Sequence, residues 1–359
     1  MIADLHKPAR GRVAVAMSGG VDSSVAAALL QDQGFEVVGV TMCFSLPEPT
    51  TGRPACCGAA GVADARRVAE ILGIRHHVLG FEKDLERLVV ADFVSEYARG
   101  RTPNPCIRCN EHLKFGRLLE TMRAMDIEFL ATGHYARIVQ RQGVNYLGKA
   151  GDGRKDQSYF LYRLNAEQLA HILFPLGDYR KEQVRAIARE RRLPVADKKE
   201  SQEICFVPDD LRSFLAPRLG SRPGDVVDTD GNVLARHDGV HYFTIGQRKG
   251  LGIGTEHVRY VVAIDAANAR VIVGPRDRAM AKGCCLTDCI FPGVLPAEKR
   301  LGVRVRYRSP EVKARTRTEG DRVGLEFEEP QFAVTAGQSA VLYDEDIVVG
   351  GGIIESILT

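Results

Sequence analysis

Apolar residues in this chain fall in short blocks that alternate with longer amphipathic stretches. Val13 to Met17 is an unbroken apolar run, the pattern of a strand buried on both faces. Ser18-Gly19-Gly20-Val21-Asp22-Ser23 follows at once. Val25, Ala26, Ala28, Leu29 and Leu30 then recur at helical spacing up to Gly34, a helix stop. Glu36 to Met42, Arg75 to Leu79 and Phe129 to Thr132 read as further strands; Ala59 to Leu72 and Leu85 to Tyr97 read as helices. Strands alternating with helices predict an α/β domain, a doubly wound parallel sheet with ligands at the strands' carboxyl ends. Lys181 to Arg192 has the pattern of a basic amphipathic helix and reads as a solvated face. From about Leu211 the blocks shorten. Val226 to Asp228, Val240 to Ile245 and Val258 to Asp265 predict a small β-rich domain. Gly302 to Tyr307, Val312 to Thr318, Arg322 to Phe327, Ser339 to Tyr343 and Ile347 to Ile354 predict a C-terminal β-barrel or sandwich. The expected domains are 1–210 (α/β), 211–278 (central, β-rich) and 279–359 (β-barrel).

At 359 residues the chain has room for two or three domains, and its net charge of +3 is too small to decide a nucleic-acid partner. No apolar run approaches the roughly 20 residues that span a bilayer, so no membrane is expected. Met1 to Arg10 has no apolar leader core, and the nine cysteines are odd in number and clustered. That usage fits reduced cysteines that are catalytic, metal-binding or buried, and a cytoplasmic location.

Strand, glycine turn, helix is the arrangement that cradles phosphates: backbone N–H groups approach an anion and the helix N-terminus favours its charge. No lysine closes this loop, so it is not the GxxxxGK[ST] type. A second informative stretch is Thr102-Pro103-Asn104-Pro105-Cys106-Ile107-Arg108-Cys109-Asn110. Asn104 is a good N-cap and Pro105 suits the first helical position. Cys106 and Cys109 then share one face of the first turns, and a helix start beside Arg108 is expected to favour thiolate. Such a pair also serves as half a zinc site or a redox pair, with Cys205 and a histidine as candidate further ligands. Cys205, between Ile204 and Phe206, equally suits an apolar core. Cys56-Cys57 and Cys284-Cys285 with Cys289 read as incidental.

The glycine loop resembles the SGGxDS loop of the ATP pyrophosphatase (PP-loop) superfamily. SGGVDSS, GRTPNPxxxCN (Gly100 to Asn110), ATGHYAR (Ala131 to Arg137), KDQSYFL (Lys155 to Leu161) and SQEICF (Ser201 to Phe206) join it in order. FTIGQRKGLGIG (Phe243 to Gly254), VRYR (Val305 to Arg308), AGQSAVLY (Ala336 to Tyr343) and GGGII (Gly350 to Ile354) complete the set. Together they resemble the tRNA-specific 2-thiouridylase family from about Val13 to Ile354. The resemblance implies an ATP-dependent tRNA-uridine 2-sulfurtransferase that replaces the C2 oxygen of a wobble uridine with sulfur. ATP adenylates that oxygen, and a persulfide on Cys205 supplies the sulfur. Cys109 is the nucleophile that helps release it and can end in a disulfide with Cys205. The implied ATP site is Ala16, Met17, Ser18, Gly19, Gly20, Val21, Asp22, Ser23, Met42 and Gly133, with Mg²⁺ near Asp22. The implied tRNA contacts are Asn104, Cys106, His134, Lys155, Asp156, Gln157, Arg306, Tyr307 and Gln338. The implied partners are a tRNA with a wobble uridine and a persulfide-carrying sulfur donor.

Many relatives have Asp where this chain has Cys106. Cys106, Cys109 and Cys205 therefore also raise a [4Fe–4S] cluster route with one iron open to sulfide. Alternation puts Arg304, Arg306 and Arg308 on one strand face and Lys313, Arg315 and Arg317 on the next, a candidate phosphate track. The rival readings are a different PP-loop tRNA-modifying ligase, which has no use for Cys109 and Cys205, and a non-catalytic RNA-binding or iron–sulfur protein.

Overall fold

The computed structural model describes residues 10–44, 46–47, 54–55, 59–199, 204–207, 210–254, 258–293, 295 and 299–359. Cys56, Cys57 and Ser201 to Glu203 lie outside the described residues. The chain divides into two compact units. One comprises Met1–Leu88, Cys106–Phe206 and Asp346–Val348; the other comprises Val89–Pro105, Val207–Glu345 and Val349–Thr359.

The first unit is built on a parallel sheet in the order Arg75–Gly80, Glu36–Cys43, Arg12–Ala16, Phe129–Thr132, Ile172–Leu173. Val13, Ala14 and Val15 are wholly buried, as an apolar run in a central strand should be. Helices Val21–Asp32 and Lys181–Glu190 contribute Val25, Ala26, Leu30, Val184 and Ala188 to the core, and Ala59–Leu72 contributes Ala65 and Val68. The order of strands reverses between Arg12–Ala16 and Phe129–Thr132, where Ala16 pairs in register with Thr132. Loops leaving this switch point are where an open α/β sheet binds ligands. They are Met17 to Gly20 and Gly133 to Tyr135. The stretch after Pro105 is helical as expected, but only Pro105–Arg108 is an α-turn; Cys109–Leu118 is a π-helix, which continues as the α-helix Leu119–Ala124. Wide π turns concentrate at functional sites.

The second unit opens its central part with a helix, Leu211–Leu219, ahead of the β-rich part; Asp210 caps it by accepting from the Ser213 amide at 3.0 Å. A sheet follows in the order Val233–His237, Gly224–Val227, Arg270–Gly274, Tyr260–Asp265. Val240 to Ile245 is not a strand: Val240–Tyr242 is a 3₁₀ turn, which carries Val240, His241 and Phe243 together into the core. The remaining strands form a barrel in the order Met280–Ile290, Arg322–Phe332, Val312–Glu319, Arg300–Arg304, Ser339–Asp344, Ile347–Leu358, closed by pairing of the last with the first. Among the described residues no helix is long and apolar enough to cross a membrane.

Candidate functional site

The glycine loop is shaped to receive an anion. Helix Val21–Asp32 starts after Gly20 with no side chain capping its first amides, which leaves that turn to a ligand. Ser23 Oγ accepts from the Ser18 amide at 3.2 Å and donates to Gly20 O at 3.3 Å, fixing the loop's shape. Gly19 stands at φ +72°, and a Cβ there would lie 2.1 Å from the Gly61 carbonyl oxygen, so only glycine fits. Gly133 is as confined: its Cβ would lie 2.6 Å from the Ser23 nitrogen. Gly133 therefore supports the phosphate loop directly. Met17 is buried with its amide bonded to Val40 O at 2.8 Å. Met42 is half-buried in its strand opposite Leu79.

The loop sequence holds no lysine, yet the fold delivers two. Lys181 Nζ donates to both Asp22 carboxylate oxygens at 2.7 and 2.8 Å. Lys198 Nζ donates to Gly19 O at 2.9 Å and to Asp64 at 2.6 Å. The basic helix does present a solvated face, with Arg189 and Arg192 exposed, but Lys181 is not on it. Lys181, Val184 and Ala188 form its buried face, and Lys181 belongs to that face because Asp22 neutralises it. The Tyr135 hydroxyl also donates to Asp22, at 2.8 Å. Asp22 and the Ser18 and Ser23 hydroxyls are oxygen donors of the kind Mg²⁺ takes, but both Asp22 oxygens are held by Lys181 in this structure.

Cys109 is 8% exposed at the start of the π-helix. Burial pushes its thiol up to about 12, against an opposing pull from the Lys114 ammonium. The expected thiolate is thus corrected: desolvation outweighs the helix start, and Arg108 turns to Glu111 at 3.1 Å. Cys106 and Cys205 are exposed, and Cys205 is near enough to act on the ionisation of both Cys106 and Cys109. Cys205 is not core. Among the described residues no three His, Cys, Asp or Glu side chains gather as a metal site.

His134 links the two regions. It follows Gly133, accepts or donates with Thr132 Oγ1 at 2.8 Å, and its ring lies 6.0 Å from Phe115, on the helix of Cys109. Burial, then the Lys114 charge, pushes its imidazole well below the usual value, so it is neutral near pH 7. The Lys114 ammonium, itself hydrogen-bonded to Asn110 at 3.1 Å, is a site group the sequence reading missed.

Several expected tRNA contacts are committed internally. Asp156 is 2% exposed and accepts from the Ala150 amide and from the amide and hydroxyl of Ser158. Gln157 clamps Tyr135 by accepting from its amide at 2.9 Å and donating from its own amide to Tyr135 O at 2.8 Å. Lys155 is half-buried in the same loop. In the second unit Gln338 Nε2 donates to Thr102 O at 2.7 Å, steadying the stretch that leads through Asn104. Arg304, Arg306 and Arg308 do not share a strand face, a further correction. The strand ends at Arg304, and Arg306 and Tyr307 lie in the turn beyond it. Arg306 reaches back to Ile245 O at 3.0 Å and to the Thr335 hydroxyl. Lys313, Arg315 and Arg317 do share an exposed face, and Arg300 stands opposite Arg315.

Three family models match the chain. Their descriptions are tRNA methyl transferase HUP domain over residues 11–209, tRNA methyl transferase PRC-barrel domain over 212–275, and Aminomethyltransferase beta-barrel domain over 291–354. The tRNA-specific 2-thiouridylase MnmA 1 of Syntrophus aciditrophicus is 49% identical across 97% of this chain and 93% of its own length. The tRNA-specific 2-thiouridylase MnmA of Moorella thermoacetica is 49% identical across 96% of this chain and 99% of its own. The MnmA of Geobacter metallireducens is 47% identical across 99% of this chain and all of its own length. Likeness at this identity runs through both units and both halves of the site, and the chain belongs to the tRNA-specific 2-thiouridylase family.

Proposed function

We propose that this protein is an ATP-dependent tRNA-uridine 2-sulfurtransferase acting on the wobble uridine. One observation carries the reading: Gly133 packs against the phosphate loop while His134, the next residue, packs against the helix of Cys109. This supports a nucleotide on the loop and a thiol on that helix acting on one substrate base. The 1–210, 211–278 and 279–359 division is retained as the domain proposal.

An oxide is too poor a leaving group to be displaced from C2 directly, so ATP first becomes bonded through its α-phosphorus to the C2 oxygen and pyrophosphate departs. Ala16 and Met17 lead the chain into the loop; Ser18, Gly19, Gly20, Val21, Asp22 and Ser23 hold the phosphates, and the backbone of Met42 and Gly133 receives the adenosine. Mg²⁺, when bound near Asp22, neutralises charge building on the phosphates. The outer sulfur of a Cys205 persulfide then bonds to C2. Cys109 thiolate attacks Cys205 Sγ, the persulfide S–S bond breaks toward the base-bound sulfur, AMP leaves, and a Cys109–Cys205 disulfide remains for a thiol reductant to open. The exposed Cys205 supports loading by a persulfide-carrying donor protein, and the reaction belongs in the cytoplasm with its tRNA. Asn104, Cys106, His134, Lys155, Arg306, Tyr307 and Gln338 are proposed to meet the tRNA; Asp156 and Gln157 are proposed to act by shaping the loop that carries Lys155. The cysteines fit sulfur transfer better than the methyl transfer in the family models' descriptions.

The test is nucleoside mass spectrometry on unmodified tRNA incubated with ATP and a persulfide donor. Wild type yields 2-thiouridine from iron-free protein, while Cys109→Ser and Cys205→Ser yield none yet still bind ATP. Product only after cluster reconstitution would replace the persulfide route with the cluster route, and activity in either serine variant sinks the assigned roles.

A further inference from the structure

Lys181 is a buried ammonium that the sulfur-transfer reaction leaves idle. Its side chain is 8% exposed, both Asp22 oxygens accept from it, and its Nζ lies 5.8 Å from the centroid of the Tyr135 ring. A cation this desolvated needs an anion at all times, since one left alone in such a site is strongly destabilising. In this structure the anion is Asp22, the second residue of the helix whose first amides are left for a ligand. Nζ is held at this first turn by Asp22, and its flexible four-carbon stem leaves it able to turn to another anion there. Asp22 has the opposite problem. With both oxygens held by Lys181 and one also by the Tyr135 hydroxyl, it has little left to offer a metal ion. Lys198 is not a buried ion in this way: it is 38% exposed and is held by Gly19 O and Asp64.

We propose that Lys181 is the cation that grips the nucleotide phosphates. It rests on Asp22 while the site is empty and transfers to the phosphates when they arrive, leaving Asp22 to the magnesium they bring. The ion pair is therefore a placeholder, one charge on each side standing in for the ligand's own. This rests on the ATP reading above, and it assigns to a distant helix the lysine that the loop sequence lacks.

The test uses inorganic pyrophosphate without divalent metal, followed by calorimetry at fixed ionic strength. Releasing Lys181 from its partner should help phosphate, so Asp22→Asn is expected to bind pyrophosphate at least tenfold more tightly than wild type. That gain should vanish in Asp22→Asn/Lys181→Met, which removes both charges together and so leaves no buried ion unpaired. With Mg²⁺–ATP, Lys181→Met should bind at least tenfold more weakly than wild type, with thermal melting confirming its fold. A double variant that binds pyrophosphate as tightly as Asp22→Asn overturns the proposal, because the gain then comes only from losing a negative charge. A folded wild-type protein that binds neither pyrophosphate nor Mg²⁺–ATP overturns the ATP reading instead.

Discussion

Cys109 should be chemically quiet in the protein alone. Burial lifts its thiol from 9.0 to about 12, which penalises the thiolate by about 4 kcal/mol. At pH 8 the ionised fraction is then on the order of a thousandth of that of an ordinary thiol, and the labelling rate should fall in proportion. The assay is timed labelling with iodoacetamide between pH 7 and 11, with each cysteine-containing peptide followed by mass spectrometry. Cys205, which is exposed, should label first. Cys109 should label slowly, with a rate that keeps rising about tenfold per pH unit past pH 9. Steric shielding alone would lower the rate but let it level off near 9, so the slope separates the two causes. Lys114→Met should slow Cys109 further, because the ammonium pulls its thiol in the acidic direction. The same shift fixes a stability trend. Above pH 9 the unfolded chain loses a proton that the folded protein keeps, so stability should fall as pH rises from 9 toward 12. Labelling of Cys109 that plateaus near pH 9 at a rate close to that of Cys205 would refute the reasoning.

Gly133→Ala puts a methyl 2.6 Å from the Ser23 nitrogen and 2.7 Å from the Asp22 carbonyl carbon, so the phosphate loop must shift. Overpacking of this kind costs about 1–3 kcal/mol, and ATP affinity measured by calorimetry should drop by roughly tenfold or more; unchanged affinity would mean the loop yields freely. Replacing Lys313, Arg315 and Arg317 with Gln should weaken tRNA binding in a filter or fluorescence assay. It should also reduce the slope of log affinity against log salt by about 0.7–0.9 for each phosphate no longer neutralised. An unchanged slope would make that face a solvated surface.

What could be read from the sequence depended on how local the determinant was. The phosphate loop is a strand, a glycine turn and a helix within one stretch, and the strand burial, the left-handed Gly19 and the open helix start all follow from it. Lys181 is held by Asp22, a partner 159 positions away, and no spacing rule reaches that far. One clue was present: Lys181, Val184 and Ala188 fall on the same buried face, and a charge on an apolar face needs a partner. The thiolate expectation failed for a related reason. The helix start is local, but the burial that raises the Cys109 thiol is set by tertiary packing, which spacing along the chain does not reveal. The arginine stripe failed because alternation alone was counted. Ser309-Pro310 marks a strand stop, and the Arg306 amide donates to Ser309 Oγ at 3.2 Å inside the resulting turn.

The residues Gly133, His134 and Tyr135 then carry more than a motif would imply. Gly133 bears on the loop backbone, His134 on the helix of Cys109, and the Tyr135 hydroxyl on Asp22, with Gln157 clamping the Tyr135 backbone at both its amide and its carbonyl. Each chemistry is held in an inactive charge state: Asp22 is neutralised by Lys181, and Cys109 keeps its proton through burial. An incoming nucleotide relieves the first by supplying a competing anion. In the proposed reaction, a substrate base entering beside Cys109 would change the solvation and charge around the second. One short segment therefore packs on the loop at Gly133 and on the helix of Cys109 at His134. Under the proposed roles, burial of Cys109 keeps the thiol protonated while the site is empty.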